Sequence, residues 1–141
     1  MSVLASENAS ATGGRDGRAT SADGKIDLAI SPPGSNGAGT NPEQLFAAGY
    51  AACFGGAIGA AAAQEKVSLR SKDIKVTATV DLHKENAGFF ISATLNAELP
   101  GVDQAKAEEL VAKAHTICPY SKATRGNIEV TLQANGRTVR A

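Results

Sequence analysis

Four residues of this chain have the right types to do chemistry together: Cys53, Cys118, Arg15 in a glycine-rich turn, and Glu43 at a helix start. A thiolate is a nucleophile, and a second thiol within reach can close a disulfide with it after oxidation. A guanidinium beside a thiol favours the charged sulfur and presents a planar fork of N–H donors, which a carboxylate can hold through a bidentate pair. Each residue also has a plainer reading. Free cysteine is among the most buried residue types, so both thiols also read as inert core residues. Arg15, between Gly14 and Asp16 in "GGRDG", also reads as an exposed cation, Asp16 as a turn residue, and Glu43 as the acidic member of a capping box. His115 and Cys118 stand three apart on a helical pattern, but zinc needs three or four ligands and no CxxC is present, so no metal site is expected. His115 is read instead as a satisfied histidine near a helix end, where the dipole favours its charged form. Arg125 is read as a loop cation or a contact between subunits.

At 141 residues the chain is expected to form one domain, 1–141. Lys plus Arg and Asp plus Glu both number 14, so no charge excess draws it to nucleic acid or to a membrane surface. The opening "MSVLASENAS" lacks the basic start and apolar run of a signal peptide, and no stretch reaches about 18 consecutive apolar residues. The expectation is a soluble cytoplasmic protein, where two cysteines are seldom a permanent staple. With no Trp, and only Phe46, Tyr50, Phe54, Phe89, Phe90 and Tyr120 as aromatics, one subunit has few large side chains for a core, so a homodimer sharing a core is expected.

The elements that must position the four residues follow from period and punctuation. Residues 1–30 alternate turn signals with short strand-like runs, ending in "IDLAI" at 26–30, and predict a small hairpin or meander. "SPPGSNGAGT" at 31–40 reads as a loop flexible enough to serve as a hinge or flap. A helix follows, with either Thr40 capping and Glu43 completing a capping box, or Asn41 capping and Pro42 at the first helical position. It is expected to run to about Lys66 and, being apolar nearly all round, to be buried. "DIKVTATVDL" at 73–82 and "FFISATLNAEL" at 89–99 alternate as half-buried strands, with "HKENAG" as the turn between them. Val102 to about Ile117 has helical spacing, and 126–140 reads as one or two strands around Asn135-Gly136. The order predicts an α+β fold with antiparallel sheet packed on two helices.

Three blocks, "ATGGRDGRA" at 11–19, "GAGTNPEQLFAAGYAACF" at 37–54 and "AHTICPYSKATRGNIEV" at 114–130, resemble the signatures of the organic hydroperoxide resistance (Ohr) proteins of the OsmC-like superfamily. They cover about a third of the chain, in that family's order. The resemblance implies the OsmC-like fold, with antiparallel sheets around two long central helices in an intertwined homodimer. It implies a cysteine-based peroxidase that reduces organic hydroperoxides, including lipid-derived ones, in an oxidative stress response. Cys53 then matches the peroxidatic cysteine, Cys118 the resolving cysteine, and Arg15 and Glu43 the pair that activates the thiolate. No bound cofactor is implied; dihydrolipoyl groups on lipoylated proteins are the external reductant. Two other readings stay open: an OsmC-type paralogue with another peroxide preference, and a non-catalytic dimeric binding protein with inert cysteines.

On one straight helix, Glu43 and Cys53 would be separated by about 15 Å of axial rise. Either Glu43 acts from a distance, or the helix has a break or kink near Gly49 and Tyr50. A break would let Glu43 and Arg15 reach Cys53 and place the sulfur near a new helix N-terminus, where the dipole lowers a thiol's pKa.

Overall fold

Three short antiparallel strands form first, as the turn signals predict: β1 (Ser10–Thr12), β2 (Gly17–Thr20) and β3 (Asp27–Ile30), in the order β1-β2-β3. The β1–β2 turn needs glycine. Gly13 and Gly14 have φ of 87° and 61°, and a Cβ on Gly17 would lie 1.8 Å from the Thr12 carbonyl oxygen. The loop at 31–40 is tied at its base, where Ser31 N–H donates to the Thr40 carbonyl (2.8 Å) and Thr40 N–H to that of Ala29 (2.9 Å). The computed structural model describes residues 1–140, and their contacts define two units, Met1–Leu45 and Phe46–Ala141.

Helix α1 (Pro42–Gln64) starts in the first unit and runs on into the second. Of the two possible starts the second is used: Asn41 Oδ1 accepts from Gln44 N–H at 2.9 Å, with Pro42 opening the helix. Glu43 is thereby left free of capping. The helix stops two residues before Lys66, which takes a left-handed φ of 57° while Val67 N–H bonds back to the Ala62 carbonyl (2.8 Å). This is a Schellman-type end with lysine in the place glycine usually holds.

The second unit contains β4 (Lys75–Glu85), β5 (Gly88–Glu98), α2 (Gln104–Ile117), α3 (Pro119–Thr124), β6 (Val130–Ala134) and β7 (Arg137–Val139). The β4–β5 turn is tighter than "HKENAG" suggests, since the strands pair as far as Glu85 and Gly88. The α+β class holds, but the four-stranded sheet is mixed, because β5 and β6 pair in parallel. A parallel neighbour needs a long crossover, and here α2 and α3 supply it. Asp103 caps α2 by accepting from Lys106 N–H at 2.9 Å. The short helix α3 was not expected, although Pro119 at its first position is a helix-start signal.

Tyr50, Phe54, Ala57, Ile58, Ala61 and Ala62 form one buried face of α1, packed in a single core with Leu95, Leu110, Val111 and Leu132. The opposite face contradicts the expectation of all-round burial, for Ala48, Ala52, Gly56 and Ala60 are exposed. One chain supplies sheet and helix to cover a single side of α1. By length and composition α1 is also long and apolar enough to cross a membrane, which the count of consecutive apolar residues did not show. Its aromatic face is nonetheless part of the protein core.

Asn135 adopts a φ of 50° in the β6–β7 turn; its Oδ1 accepts from Leu99 N–H (3.0 Å) and its Nδ2 donates to Gln104 Oε1 (3.2 Å). Asn135→Ala is expected to destabilise the protein by about 2 to 4 kcal/mol, combining left-handed strain with an unpaired Leu99 N–H. Urea unfolding of the variant against the parent measures this.

Candidate active site

The four residues form two pairs, one in each unit. In the first unit, Arg15 projects from the Gly13–Asp16 turn and its Nη1 donates to both carboxylate oxygens of Glu43, at 2.8 and 3.1 Å. Glu43 is available for this because Asn41 does the capping. The Arg15 side chain is 50% exposed and that of Glu43 only 11%. Water screens such a pair, so its stability contribution is about 1 kcal/mol or less. Its stronger effect is to fix the direction of the guanidinium fork.

In the second unit, Cys53 Sγ and Cys118 Sγ lie 3.2 Å apart, unbonded. Cys118 is 1% exposed and Cys53 only partly buried, so one sulfur is reachable from solvent and the other sits behind it. Two packed helices bring them together: Cys53 is on α1, and Cys118 both ends α2 and caps α3.

Of the two ways of joining Glu43 to Cys53, the break in α1 is absent; the helix is continuous through Gly49 and Tyr50. Phe46, Tyr50 and Phe54 recur every four residues and pack edge to face, with centroids 6.0 and 6.4 Å apart, which suits a regular helix. Gly49 serves a different purpose. A Cβ there would lie 2.9 Å from Tyr120 Oη, so the glycine admits the Tyr120 ring against the helix.

Cys53 therefore does not sit at a helix N-terminus, and its pKa is raised rather than lowered. Burial raises it first, a hydrogen bond from the Tyr120 backbone N–H pulls the other way, and the Cys118 thiol adds to the rise. Burial thus favours the neutral form of Cys53 in this arrangement.

Beneath the sulfurs lies a polar network that spacing alone did not reveal. Tyr50 Oη is 2.8 Å from Ser121 Oγ and 3.1 Å from Thr124 Oγ1, and Ser121 Oγ is 2.8 Å from His115 Nδ1. Arg125 Nη1 donates to the His115 carbonyl at 2.6 Å. Arg125 is thus a clamp on the end of α2. His115 departs from the expectation that the helix dipole favours its charge, since burial and then the nearby Arg125 cation lower its pKa. It makes no metal site with the thiols: among the described residues no three His, Cys, Asp or Glu side chains are grouped to hold an ion.

An apolar groove of about 640 Å³ runs past Phe46, Ile91, Pro119, Tyr120, Ala123 and Ile128. Phe46 lines it, whereas Tyr50 and Phe54 are fully buried. The part contributed by α3 was missed, because that helix was not foreseen.

A sequence model described as "OsmC-like protein" matches residues 34–133. The chain belongs to the OsmC-like family. Within it, the chain is 52% identical over 134 residues to the organic hydroperoxide resistance protein of Xanthomonas axonopodis pv. citri, covering 92% of this chain and 94% of that one. The crystal structure of the organic hydroperoxide resistance protein OhrB of Bacillus subtilis superposes with a TM-score of 0.88 at 45% identity, covering 94% of this chain and 100% of that one. That of an organic hydroperoxide resistance protein from Elizabethkingia anophelis gives 0.86 at 42%, covering 97% and 100%. The α+β architecture is thus the OsmC-like fold, and the Ohr resemblance read from the three sequence blocks is borne out.

The lowered pKa of His115 sets a pH dependence. The unfolded chain takes up a proton near the usual 6.5, whereas the folded protein does so only at lower pH. This contribution is fully present above about 6.5 and is lost as the pH falls through the folded value. Urea midpoints measured from pH 7.5 down to 5 are expected to fall more steeply for the parent than for His115→Gln.

Proposed function

We propose that this protein is a cytoplasmic thiol peroxidase that reduces organic hydroperoxides, lipid-derived ones included, to alcohols. The observation that carries the reading is the pair of unbonded sulfurs 3.2 Å apart, one reachable and one buried. The names of its relatives, organic hydroperoxide resistance proteins, supply the substrate class.

In the proposed cycle the Cys53 thiolate attacks the distal oxygen of the hydroperoxide. The O–O bond breaks, the proximal oxygen leaves as alkoxide and takes a proton to become the alcohol, and Cys53 becomes a sulfenic acid. The Cys118 thiol displaces water from that sulfur, giving a disulfide that protects Cys53 from further oxidation. A dihydrolipoyl dithiol, carried on a lipoylated protein, then reduces the disulfide by exchange and itself becomes the cyclic lipoyl disulfide.

Arg15 is assigned two tasks. The raised pKa of Cys53 means that a cation is needed to populate the thiolate. Ionisation alone gains little, because thiolate nucleophilicity falls as pKa falls, with a Brønsted slope of about 0.4 to 0.5 in thiol exchange. The larger effect is donation to the departing oxygen, where one preorganised donor contributes about a hundredfold to a thousandfold in rate. Glu43 orients the fork that makes this donation.

The apolar groove beside Tyr120 supports a preference for organic peroxides, since each buried CH₂ contributes about 0.8 kcal/mol. The exposed Ala48, Ala52, Gly56 and Ala60 face of α1, with exposed Phe89 and Phe90, supports a homodimer in which a second copy covers apolar surface. Light scattering is expected to give twice the chain mass; a concentration-independent monomer overturns the dimer.

One equivalent of cumene hydroperoxide is expected to yield a monomer lighter by two hydrogens, with Cys53 crosslinked to Cys118 in non-reducing peptide mass spectrometry. Unmodified or separately oxidised thiols would refute the cycle. Arg15→Ala is expected to lose at least about a hundredfold in peroxidase rate even at a pH where Cys53 is fully ionised. Full activity there removes Arg15 from the reaction.

A further inference from the structure

Tyr50 is fully buried, one turn before Cys53 on α1, and nothing in the peroxidase cycle uses its hydroxyl. That hydroxyl reaches two residues of α3, the helix that begins immediately after Cys118. Ser121 and Thr124 are themselves 0% and 4% exposed, so these are bonds made away from water, where an unpaired oxygen is costly.

Counting protons fixes how the network runs. Thr124 Oγ1–H donates to the Ser121 carbonyl at 3.2 Å, so Thr124 Oγ1 has only lone pairs for Tyr50, and Tyr50 Oη–H must donate to it. Tyr50 Oη then accepts from Ser121 Oγ–H, and Ser121 Oγ accepts from His115 Nδ1–H. Every contact holds one proton and every donor is used once. The chain therefore runs in one direction, from the last turn of α2 into α3, across to α1 and back into α3, with Cys118 at the junction of α2 and α3. Bonds aligned this way polarise and strengthen one another.

We propose that Tyr50 is a positioning residue for resolution: through Ser121 and Thr124 it holds α3, and with it the Cys118 thiol, against Cys53. The inference rests on the peroxidase reading above. The step it serves joins Cys118 sulfur to Cys53 sulfur, breaks the Cys53 S–O bond, and passes the thiol proton to the departing hydroxide as water. Its competitor is a second hydroperoxide molecule, which oxidises the sulfenic acid to sulfinic acid and is itself reduced to alcohol. The geometry of Cys118 decides between the two outcomes, whereas the first oxidation of Cys53 makes and breaks no bond to Cys118.

The test uses the reduced full chain mixed with excess cumene hydroperoxide, acid-quenched at intervals and analysed by mass spectrometry for disulfide and for Cys53 sulfinic acid. Tyr50→Phe keeps the ring and removes the hydroxyl. It is expected to consume the first equivalent of peroxide at the parent rate and to raise the ratio of sulfinic acid to disulfide by about three- to tenfold, the effect of one hydrogen bond. Ser121→Ala and Thr124→Val are expected to shift the ratio in the same direction, and they decide the matter if Tyr50→Phe does not fold. Ile58→Val, a packing change on the same buried face, is expected to leave the ratio unchanged. A parental ratio in the hydroxyl variants, or an equal shift in Ile58→Val, overturns the positioning role. If the parent itself forms no Cys53–Cys118 disulfide, the peroxidase reading fails instead.

Discussion

A contact between two sulfurs 65 residues apart in sequence is the constraint around which the second unit is organised. One sulfur must be reachable and the other must wait behind it, so the chain needs two helices packed closely enough for their cysteines to touch. α1 meets this with small residues beside its aromatics, and α2 by ending at Cys118, where the chain turns into α3. The sheet packs against both helices, and the chain between its parallel strands β5 and β6 is the crossover through α2 and α3.

Electrostatics divides the work differently from packing. Burial favours a neutral Cys53, and the Cys118 thiol reinforces that. The charged pair belongs to the first unit, on a turn built from glycines and on the first turn of α1. Reactivity under the proposed chemistry is then set by where the Arg15 fork is directed. The structure invests in that direction, through two hydrogen bonds to a mostly buried carboxylate, more than in the modest stability of an exposed ion pair.

Most of this architecture is legible in local pattern. Alternation marked β4 and β5, helical spacing marked α2, and Asn135-Gly136 marked the last hairpin, since each depends on neighbours within a few residues. Glu43 and Cys53 drew notice for the same reason, but the break offered as one way of joining them is absent. Glycine in a helix signals either weakness or a close neighbour, and only the fold shows that Gly49 faces Tyr120. The charge of His115 was misjudged because a helix end is visible in sequence, whereas burial and Arg125 are not. The Tyr50 network was invisible because Tyr50 lies more than 70 residues from Ser121 and Thr124, which are themselves ordinary surface types.

The parallel pairing of β5 with β6 also orders events in time. β6 can be laid down only after the chain has passed through α2 and α3, so the sheet closes through non-local contacts, which form late in folding. Cys53, on α1, is synthesised and can become helical well before Cys118 is delivered to it. Under the proposed cycle, a newly made chain that meets peroxide in that interval has Cys53 without its resolving partner. The same crossover that seats Cys118 in the finished protein thus leaves a window of vulnerability during its maturation, and faster closure of the sheet shortens it.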